Sequence, residues 1–558
     1  MNKIFTAEHA APVGMKKDFT AEHAEHAETK TLFVFASTNK FPSVCSVCSV
    51  AKILVPLLYL LLLPSVVLFP ACSPSKPPAD TMVVLVEAPV GDIDPSTAIT
   101  AYGLKISRLI HEPLVSLDTA DGKPRLELLE RIERIDDRTV ILHLKPGVRF
   151  SDGSPLTARD VVATFRVIRQ GSLSPFASKW KDLIELVADS DLRVRMRFSA
   201  LRPTLVSDLD IGIVKLSPGA APWRNTRIGA GPFVLEGRTT DRIRLVRNPF
   251  YYKGVPPVRR VVFQTVEEEN VRALLMSSGH ADMAQNNISP ILLPALAHLP
   301  LMRGPSWTLT YLGFNAQVPQ LADPRVRRAL AMAVDRGRLI QARFRGTAQL
   351  ADSIMPPQHW AHAPGLPQLP YDPAAAANLL DEAGWPADPS SGVRFELEYK
   401  TSSNPFRVAI AKVIAEGWGR IGVRVRVRSL EWGVFFADIK KRQFQVMSLQ
   451  MPEIGVPDVM VDFFHSGNIP SAARPEGVNR WGYADAGVDD LLDRTRLTSD
   501  AAERQDLFAR VQEKLMRDLP IFPLWFEENL VFLSTRVREY NLLPNARWSS
   551  LSGVVLRR

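Results

Sequence analysis

The sequence predicts an α/β protein, because segments with strand patterning alternate with segments that carry apolar residues at helical spacing. Met82–Val86 is a short apolar run that suits a buried strand. Val326–Ile340 and Phe406–Trp418 place apolar residues on one face of a helix, and Val423–Val427 then alternates as a strand does. This alternation along most of the chain predicts helices layered on sheets.

End signals and a late helix–strand pair extend the same pattern. Pro373 suits the first turn of a helix, where its missing N–H is not needed, and Gly384 suits a helix end. Apolar residues at helical spacing from Leu507 to Met516 predict a further helix. Leu519–Trp525 is then typical of a strand that returns near the C-terminus.

The N-terminal region contains a segment that is typical of an export signal. Ile53–Phe69 is almost uninterrupted in its apolar character, with Lys52 before it and the pair Ala71-Cys72 after it. A positive flank, an apolar core and a small residue at the cleavage point describe a secretory signal peptide, here residues 50–71. A cysteine directly after the small residue predicts a lipoprotein whose mature chain begins at a lipidated Cys72.

The alternative to lipidation is an uncleaved membrane anchor, for which the apolar run is only just long enough and contains two prolines. Phe69 and Pro70 also depart from the usual residues before a lipidated cysteine. Residues 72–80, rich in Pro and Ser, are expected to form a short tether. Either interpretation places the bulk of the chain outside the cytoplasm.

Residues 1–49 fit no export signal. They contain the hexapeptide Phe-Thr-Ala-Glu-His-Ala twice, together with the spacing Cys45-x-x-Cys48. A metal-binding interpretation is open, but one Cys-x-x-Cys without a second pair is weak evidence. We favour a repeat-like leader upstream of the true start, which we expect near Val50.

Composition agrees with an exported globular protein. Apolar residues make up 46% of the chain, and all three cysteines lie at or before position 72, so the mature body has no disulfide and no thiol nucleophile. The net charge is +9 and the isoelectric point is about 9.4. The arginines are scattered and no nucleic-acid-binding module is visible, so we expect a solvated basic surface and no nucleic-acid partner.

One stretch of nineteen residues carries a family resemblance. Leu144–Val162 predicts the end of a strand, a Pro-Gly turn, an Asp-Gly turn, and a helix capped by Thr157. Its string LKPGVRFSDGSPLTARDV resembles the signature of the family 5 extracellular solute-binding proteins, the peptide- and nickel-binding receptors of bacterial ABC importers. Further resemblances follow in the family's order: Ile93–Pro95, His111–Val115, Ile228–Phe233, Arg247–Tyr251, Asp323–Leu330 and Tyr371–Trp385.

The resemblance implies an architecture of two lobes around a ligand cleft, the periplasmic-binding-protein-like fold, with an extra subdomain in the N-terminal lobe. Mapped onto this sequence, lobe I comprises residues 80–120, 222–303 and 527–558. The extra subdomain comprises residues 121–221, and lobe II residues 304–526.

The resemblance also implies a ligand-binding acid. In peptide-binding members, an acidic residue after a second-lobe strand pairs with the α-ammonium of the peptide, four residues before a proline. Glu453 takes that place before Pro457. Two neighbours depart from the family pattern: Val456 stands where Asp or Glu is usual, and Gln450 where some peptide binders have Trp. The competing interpretation of Glu453 is a solvated loop carboxylate.

Other residues of the same lobe are candidates for lining the cleft, although structural roles explain them as well. A lone histidine is more often structural, and a tryptophan more often packs in a core. The candidates beside Glu453 and Gln450 are Met451, His465, Asn479, Arg480, Trp481, Trp432 and Trp525.

We therefore predict a lipid-anchored, monomeric substrate-binding protein that captures a short peptide by hinge closure and delivers it to an ABC permease. A nickel complex, an opine or a sugar is the alternative solute. A hydrolase is a weak alternative, since Ser73-x-x-Lys76 and Ser178-x-x-Lys181 lack the partner motifs of penicillin-interactive enzymes. A regulatory or chaperone-like receptor on the same fold is also open. We predict no catalytic residue, no cofactor and no metal.

Overall fold

A computed structural model describes residues 76–170, 174–216 and 228–557. The predicted leader, the signal segment 50–71 and Cys72 lie outside these residues. In the described part of the chain, no helix combines the length and apolar character needed to cross a membrane.

Strands and helices alternate, as the sequence predicts. The strands are β1 (Thr81–Val86), β2 (Val115–Ser116), β3 (Arg125–Leu126), β4 (Leu129–Arg134), β5 (Thr139–Leu144), β6 (Leu183–Ser190), β7 (Arg193–Phe198), β8 (Phe233–Arg238), β9 (Arg242–Arg247), β10 (Arg260–Thr265), β11 (Met283–Gln285), β12 (Leu301–Gly304), β13 (Leu309–Phe314), β14 (Ala348–Leu350), β15 (Phe395–Ser402), β16 (Val423–Leu430), β17 (Val446–Met451), β18 (Ile521–Glu527), β19 (Asn529–Leu533), β20 (Val537–Arg538) and β21 (Val555–Leu556).

The α-helices are α1 (Ala101–Ile110), α2 (Ala158–Gln170), α3 (Leu205–Asp208), α4 (Glu269–Ser277), α5 (Pro319–Ala322), α6 (Pro324–Met332), α7 (Arg336–Phe344), α8 (Pro373–Glu382), α9 (Pro405–Gly419), α10 (Trp432–Lys440), α11 (Val459–Phe464), α12 (Ala486–Thr495) and α13 (Ala501–Asp518). Single turns of 3₁₀ helix lie at Ala177–Trp180, Pro290–Leu292, Ser466–Asn468 and Ser549–Gly553.

The first large sheet has seven strands in the order β12-β19-β11-β1-β10-β9-β8. All six residues of β1 are buried. Val83 and Leu85 pack in one apolar core, whereas Met82, Val84 and Val86 pack in another. Because successive side chains of a strand point to opposite faces, the sheet is covered on both sides at β1, which explains the continuous apolar run.

A separate four-stranded antiparallel sheet, β4-β5-β7-β6, packs against α2. The two turns predicted in the nineteen-residue stretch are present, with Gly147 and Gly153 at φ values of +77° and +83° that favour glycine. At the start of α2, the Asp160 carboxylate accepts from the Thr157 backbone N–H at 2.8 Å and from its hydroxyl at 2.9 Å. This is the acidic half of a capping box.

The second large sheet has six strands in the order β14-β18-β13-β17-β15-β16. Its central strand β13 is buried throughout and contributes side chains to two different cores. The chain passes from the first large sheet to the second between β12 and β13, and returns between β18 and β19. Both crossings are short, and the Asn529 side chain donates to Pro305 O beside them at 2.9 Å.

The strands of these three sheets can be compared with the predicted division of the chain, which stays a prediction. The seven-stranded sheet draws its strands from the ranges assigned to lobe I, apart from β12, which ends at Gly304. The four-stranded sheet falls within the range 121–221 that is assigned to the extra subdomain. The six-stranded sheet falls within the range 304–526 assigned to lobe II, apart from the last residue of β18, Glu527. The residue boundaries of the lobes and the subdomain stay a prediction.

Candidate functional site

The candidate site is a cavity of about 580 Å³ in the region of the six-stranded sheet, which we call the cleft cavity. Strand β17 ends at Met451, and the following loop 452–456 borders the cavity together with α10 and the ends of β13 and β15. This loop is held by two contacts: Ile454 N–H donates to Trp307 O at 3.0 Å, and His359 Nε2 lies 3.3 Å from Gly455 O.

Aromatic side chains from α10 form the apolar wall of the cleft cavity. Trp432, Phe435 and Phe436 all line it. The Trp432 and Phe436 rings are stacked, with centroids 5.5 Å apart and planes 11° from parallel. Trp432 is 53% exposed, although large aromatic side chains gain free energy by burial. It therefore offers an accessible apolar platform to a ligand.

Two arginines line the cavity and differ in their partners. Arg407 Nη1 forms an ion pair with Glu527 Oε1 at 3.0 Å. The Arg480 guanidinium carbon lies 5.1 Å from the Phe436 ring centroid, a cation–π contact. Its Nε is buried without a hydrogen-bond partner among the described residues, and burial lowers the pKa of Arg480 below its ordinary value.

Glu453 lies on the cavity border in the left-handed backbone region, with φ +53°. Its Oε1 accepts from Nε of Arg547, which belongs to the C-terminal segment. Arg547 Nη1 also contacts Asp118 Oδ1 at 3.1 Å and Asp210 Oδ2 at 2.7 Å. One guanidinium thus joins carboxylates from the predicted first lobe, the extra subdomain and the second lobe.

The electrostatics of this arginine follow from its three partners. Burial alone would lower the pKa of Arg547, but the charges of Asp210, Glu453 and Asp118 outweigh it and raise the pKa well above its ordinary value. Burial likewise opposes ionisation of Asp118, whose pKa is nevertheless lowered, chiefly by Arg547. Arg547 is therefore charged under all physiological conditions, and removing it would leave buried carboxylates without their partner.

A second cation, Lys105 on α1, lies in the electrostatic field of Glu453. Burial lowers the pKa of Lys105, and the charge of Glu453 opposes this effect. The Lys105 ammonium lies 5.3 Å from the centroid of the Trp548 ring. Glu453 therefore faces positive charge from two parts of the predicted first lobe, so any cationic group of a ligand shares this carboxylate with Arg547.

The structure brings together five of the nine predicted ligand-binding residues. The cleft cavity is lined by Glu453, Gln450, Met451, Arg480 and Trp432. The other four, discussed next, lie outside its lining.

These four residues have structural roles that explain their positions. Trp525 is fully buried and packs edge-on against Phe344 in the core, so it forms no wall of the cavity. Trp481 is also fully buried and donates from Nε1 to Phe463 O at 3.1 Å. The Asn479 amide donates to Tyr483 O at 2.8 Å, and His465 Nε2 lies 3.4 Å from Asp493 Oδ1.

Sequence reasoning missed the residues that contact the cavity or Glu453 from distant segments. Arg547 is 94 positions from Glu453 along the chain and stands in no motif. Arg407 follows the helix start at Pro405, and its pairing with Glu527 joins β18 to α9. Local spacing contains one signal for the aromatic wall. Trp432 and Phe436 are four residues apart in α10, and residues four apart share a helix face.

A second cavity, of about 450 Å³, lies in the region of α1 and the C-terminal segment. Its charged groups are largely paired with one another: Lys253 Nζ contacts Glu112 Oε1 at 2.7 Å and Glu127 Oε2 at 2.5 Å. Within the described ranges, no group of three or more His, Cys, Asp or Glu side chains is arranged to hold a metal ion.

The molecule has two mixed sheets joined by two short crossings, and a cavity bordered by Glu453, which pairs with Arg547 of the C-terminal segment. These features define a two-lobed solute-binding protein. The family model "Bacterial extracellular solute-binding proteins, family 5 Middle" matches residues 123–469, and the chain belongs to this family. The resemblance found in the sequence is thus confirmed.

Relatives and solved structures agree with this assignment. Di/tripeptide-binding protein 3 of Pseudomonas aeruginosa (strain UCBPP-PA14) is 25% identical over 514 residues, which cover 85% of this chain and 95% of the relative. Glutathione-binding protein GsiB of Salmonella typhimurium (strain LT2) is 26% identical, over 87% of this chain and 95% of the relative. The oligopeptide-binding protein AppA from Bacillus subtilis, solved with a nonapeptide, has the same fold: the TM-score is 0.69 at 22% identity, over 86% of this chain and 99% of that chain.

The protein is therefore a bacterial solute-binding protein, and the relatives named above are binding proteins, not enzymes. Members of the family are extracellular or periplasmic.

Proposed function

We propose that this protein captures a short peptide in the cleft cavity and delivers it to an ABC permease, held at the membrane by a lipid on Cys72. The observation that carries the proposal is Glu453 on the border of a cavity with an aromatic wall. A carboxylate recognises the peptide's α-ammonium, and an apolar platform accepts a side chain without selecting one closely. The relatives named above, a di/tripeptide-binding protein and a glutathione-binding protein, support the same solute class.

Glu453 retains capacity for a ligand although Arg547 engages it. The ion pair uses Oε1, and the side chain is 37% exposed. An ionised carboxylate accepts several hydrogen bonds, so an ammonium can bind the second oxygen while Arg547 orients the first. The ligand and Arg547 then neutralise Glu453 together.

Hinge closure explains how such a site holds its solute. Lobes joined by short crossings rotate about a few residues, and a ligand that contacts both lobes stabilises the closed form. The ligand shifts this equilibrium only by its higher affinity for the closed state. Glu453 belongs to the predicted second lobe and Arg547 to the predicted first lobe, so their ion pair is a contact between the two lobes beside the ligand.

A panel of solutes tests the proposal. A ligand that binds only the native state stabilises it by about 2.7 kcal/mol at one hundred times its dissociation constant, so it raises the melting temperature. We expect di- and tripeptides with free N-termini to raise the melting temperature, and their N-acetylated forms to do so weakly. A shift with a nickel–histidine chelate, an opine or a sugar, and with no peptide, would refute the peptide assignment while leaving the receptor class intact.

One observation favours a different solute as the second candidate. Glu453 already faces Arg547 and the field of Lys105, so its charge is partly compensated before any ligand arrives. A neutral or anionic solute would fit this charge balance, and the departures at Gln450 and Val456 point the same way. The same panel separates the two candidates. The first predicts that N-acetylation of a peptide reduces its shift in melting temperature, whereas the second predicts a shift with a solute that has no ammonium group.

A further inference from the structure

Arg480 is a cation on the wall of the cleft cavity without a counter-ion in the described structure. Its guanidinium forms no ion pair with any described residue, and its Nε is buried without a hydrogen-bond partner. The other charged groups that border the cavity differ in this respect. Arg407 pairs with Glu527 at 3.0 Å, and Glu453 pairs with Arg547.

The position of Arg480 is fixed by packing. Its guanidinium carbon lies 5.1 Å from the Phe436 ring centroid, and Phe436 in turn stacks on Trp432. A guanidinium on an aromatic face keeps its planar fork of N–H donors free for a second partner. Burial disfavours the charged guanidinium and lowers the pKa of Arg480, so its ionised form carries a free-energy cost while it lacks a counter-ion.

A carboxylate is the partner that removes this cost. Pairing a partly desolvated guanidinium with a carboxylate satisfies its donors through two parallel hydrogen bonds and neutralises its charge. Buried or half-buried donors left without a partner cost free energy, so the site discriminates between an anionic group and a neutral one of the same shape.

We propose that Arg480 binds a carboxylate of the solute, so that the preferred ligands are peptides that present an anionic group to the aromatic wall. This inference rests on the proposed peptide function and adds to it the chemistry of the ligand. The carboxylate has two possible sources, an acidic side chain or the C-terminus of the peptide. Both would meet the same guanidinium, which lines the same cavity as Glu453.

The test uses two pairs of tripeptides in calorimetric titrations of the purified protein. Ala-Glu-Ala against Ala-Gln-Ala reports on the side chain, and tri-alanine against its C-terminal amide reports on the C-terminus. We expect the wild type to prefer the anionic member of at least one pair by about tenfold or more, and Arg480→Met to lose that preference. The pair that responds identifies the source of the carboxylate.

Two variants serve as controls. Arg480→Lys keeps the charge without the planar fork, and we expect it to retain part of the preference. Arg510→Met removes one positive charge from an exposed arginine of α13, and we expect it to leave the preference unchanged. If peptides bind but neither preference exists, or if Arg480→Met keeps the wild-type preference, the inference is wrong and the peptide function stands.

A probe without an amine keeps the two proposals distinguishable if no peptide binds. Glutarate and glutaramide at constant ionic strength differ in charge but not in length. We then expect glutarate, and not glutaramide, to raise the melting temperature of the wild type, and Arg480→Met to abolish this shift. An equal shift in both proteins, or no shift in the wild type, would overturn the role of Arg480.

Discussion

At the scale of single residues, Glu453 is the side chain on which the proposed recognition of a peptide depends. Its backbone is left-handed in the loop after β17, and its carboxylate borders the cleft cavity and pairs with Arg547. Removing one partner of a desolvated charge pair costs on the order of 2–5 kcal/mol, partly because the other charge remains buried. In the complex, that other charge is the ammonium of the peptide.

We therefore expect Glu453→Gln, which keeps the shape and removes the charge, to weaken the binding of free-amine peptides by about tenfold or more. Isothermal titration calorimetry measures this directly. The same peptides with acetylated N-termini should bind the wild type and the variant equally poorly. Unchanged affinity in Glu453→Gln, or no effect of acetylation, would mean that another group holds the ligand.

Arg547 gives a second expectation at this scale, because it serves both stability and the site. Arg547→Met leaves Asp118 without its chief cationic partner in a buried position. Breaking a buried pair in this way costs about 3–5 kcal/mol, which urea denaturation measures. The variant also frees Glu453 from competition, so the surviving folded protein should bind free-amine peptides more tightly. Weaker binding, with stability unchanged, would show that Arg547 itself contacts the solute.

At the scale of elements, loop 452–456 is positioned by a buried histidine from a distant part of the chain. His359 is 3% exposed, its Nε2 faces Gly455 O, and its Nδ1 accepts from Ala361 N–H at 3.1 Å. This arrangement requires the neutral imidazole, because a second ring proton would point at the Ala361 N–H. Burial accordingly lowers the pKa of His359 from 6.5 to about 4.

A pH dependence of stability follows from the pKa of His359. Above pH 6.5 the imidazole is neutral in both states, and its contribution is fully present. As the pH falls from 6.5 towards 4, the unfolded chain takes up a proton that the folded protein excludes, so the free energy of unfolding decreases by about 3 kcal/mol. Urea denaturation at pH 4.5 and 7.5 should show a smaller difference for His359→Gln than for the wild type. Equal differences would contradict this expectation.

The helices and strands around the site could be predicted from local pattern, whereas the contacts that complete it could not. Strand β1, helix α9 and strand β16 all contain periodic apolar residues, and each lies close to where the sequence places it. Trp525 shows the limit of this reasoning. Composition and position made it a candidate for the cleft wall, but its side chain points into the core, and only the packing of β18 against α7 decides which face it occupies.

Arg547 and His359 show the second limit. Each reaches loop 452–456 across a large separation in sequence, and neither stands in a motif. Glu453 and Pro457, by contrast, were located through a family pattern of fixed spacing. Contacts between residues far apart in sequence depend on how whole elements are placed relative to one another. A local sequence pattern does not contain that information.

At the scale of the whole molecule, the proposal requires that the protein is exported and anchored. The pattern of Lys52, the apolar run and Ala71-Cys72 predicts cleavage before Cys72 and lipid attachment to it. We expect Cys72→Ser to move the protein from the membrane fraction to the soluble fraction, or to leave an uncleaved precursor, as mass spectrometry of both fractions would show. A wild-type protein whose Cys72 is unmodified would contradict the lipid anchor.

The central claim is that the cleft holds a short peptide, and a competition for capture tests it most directly. The purified protein is incubated with an equimolar mixture of di- and tripeptides, a nickel–histidine chelate, an opine and a sugar. It is then separated from free solute, and the bound solute is released and identified by mass spectrometry. The account predicts that one peptide per protein is retained, without chemical change. Retention of a non-peptide solute, or of nothing, would contradict it.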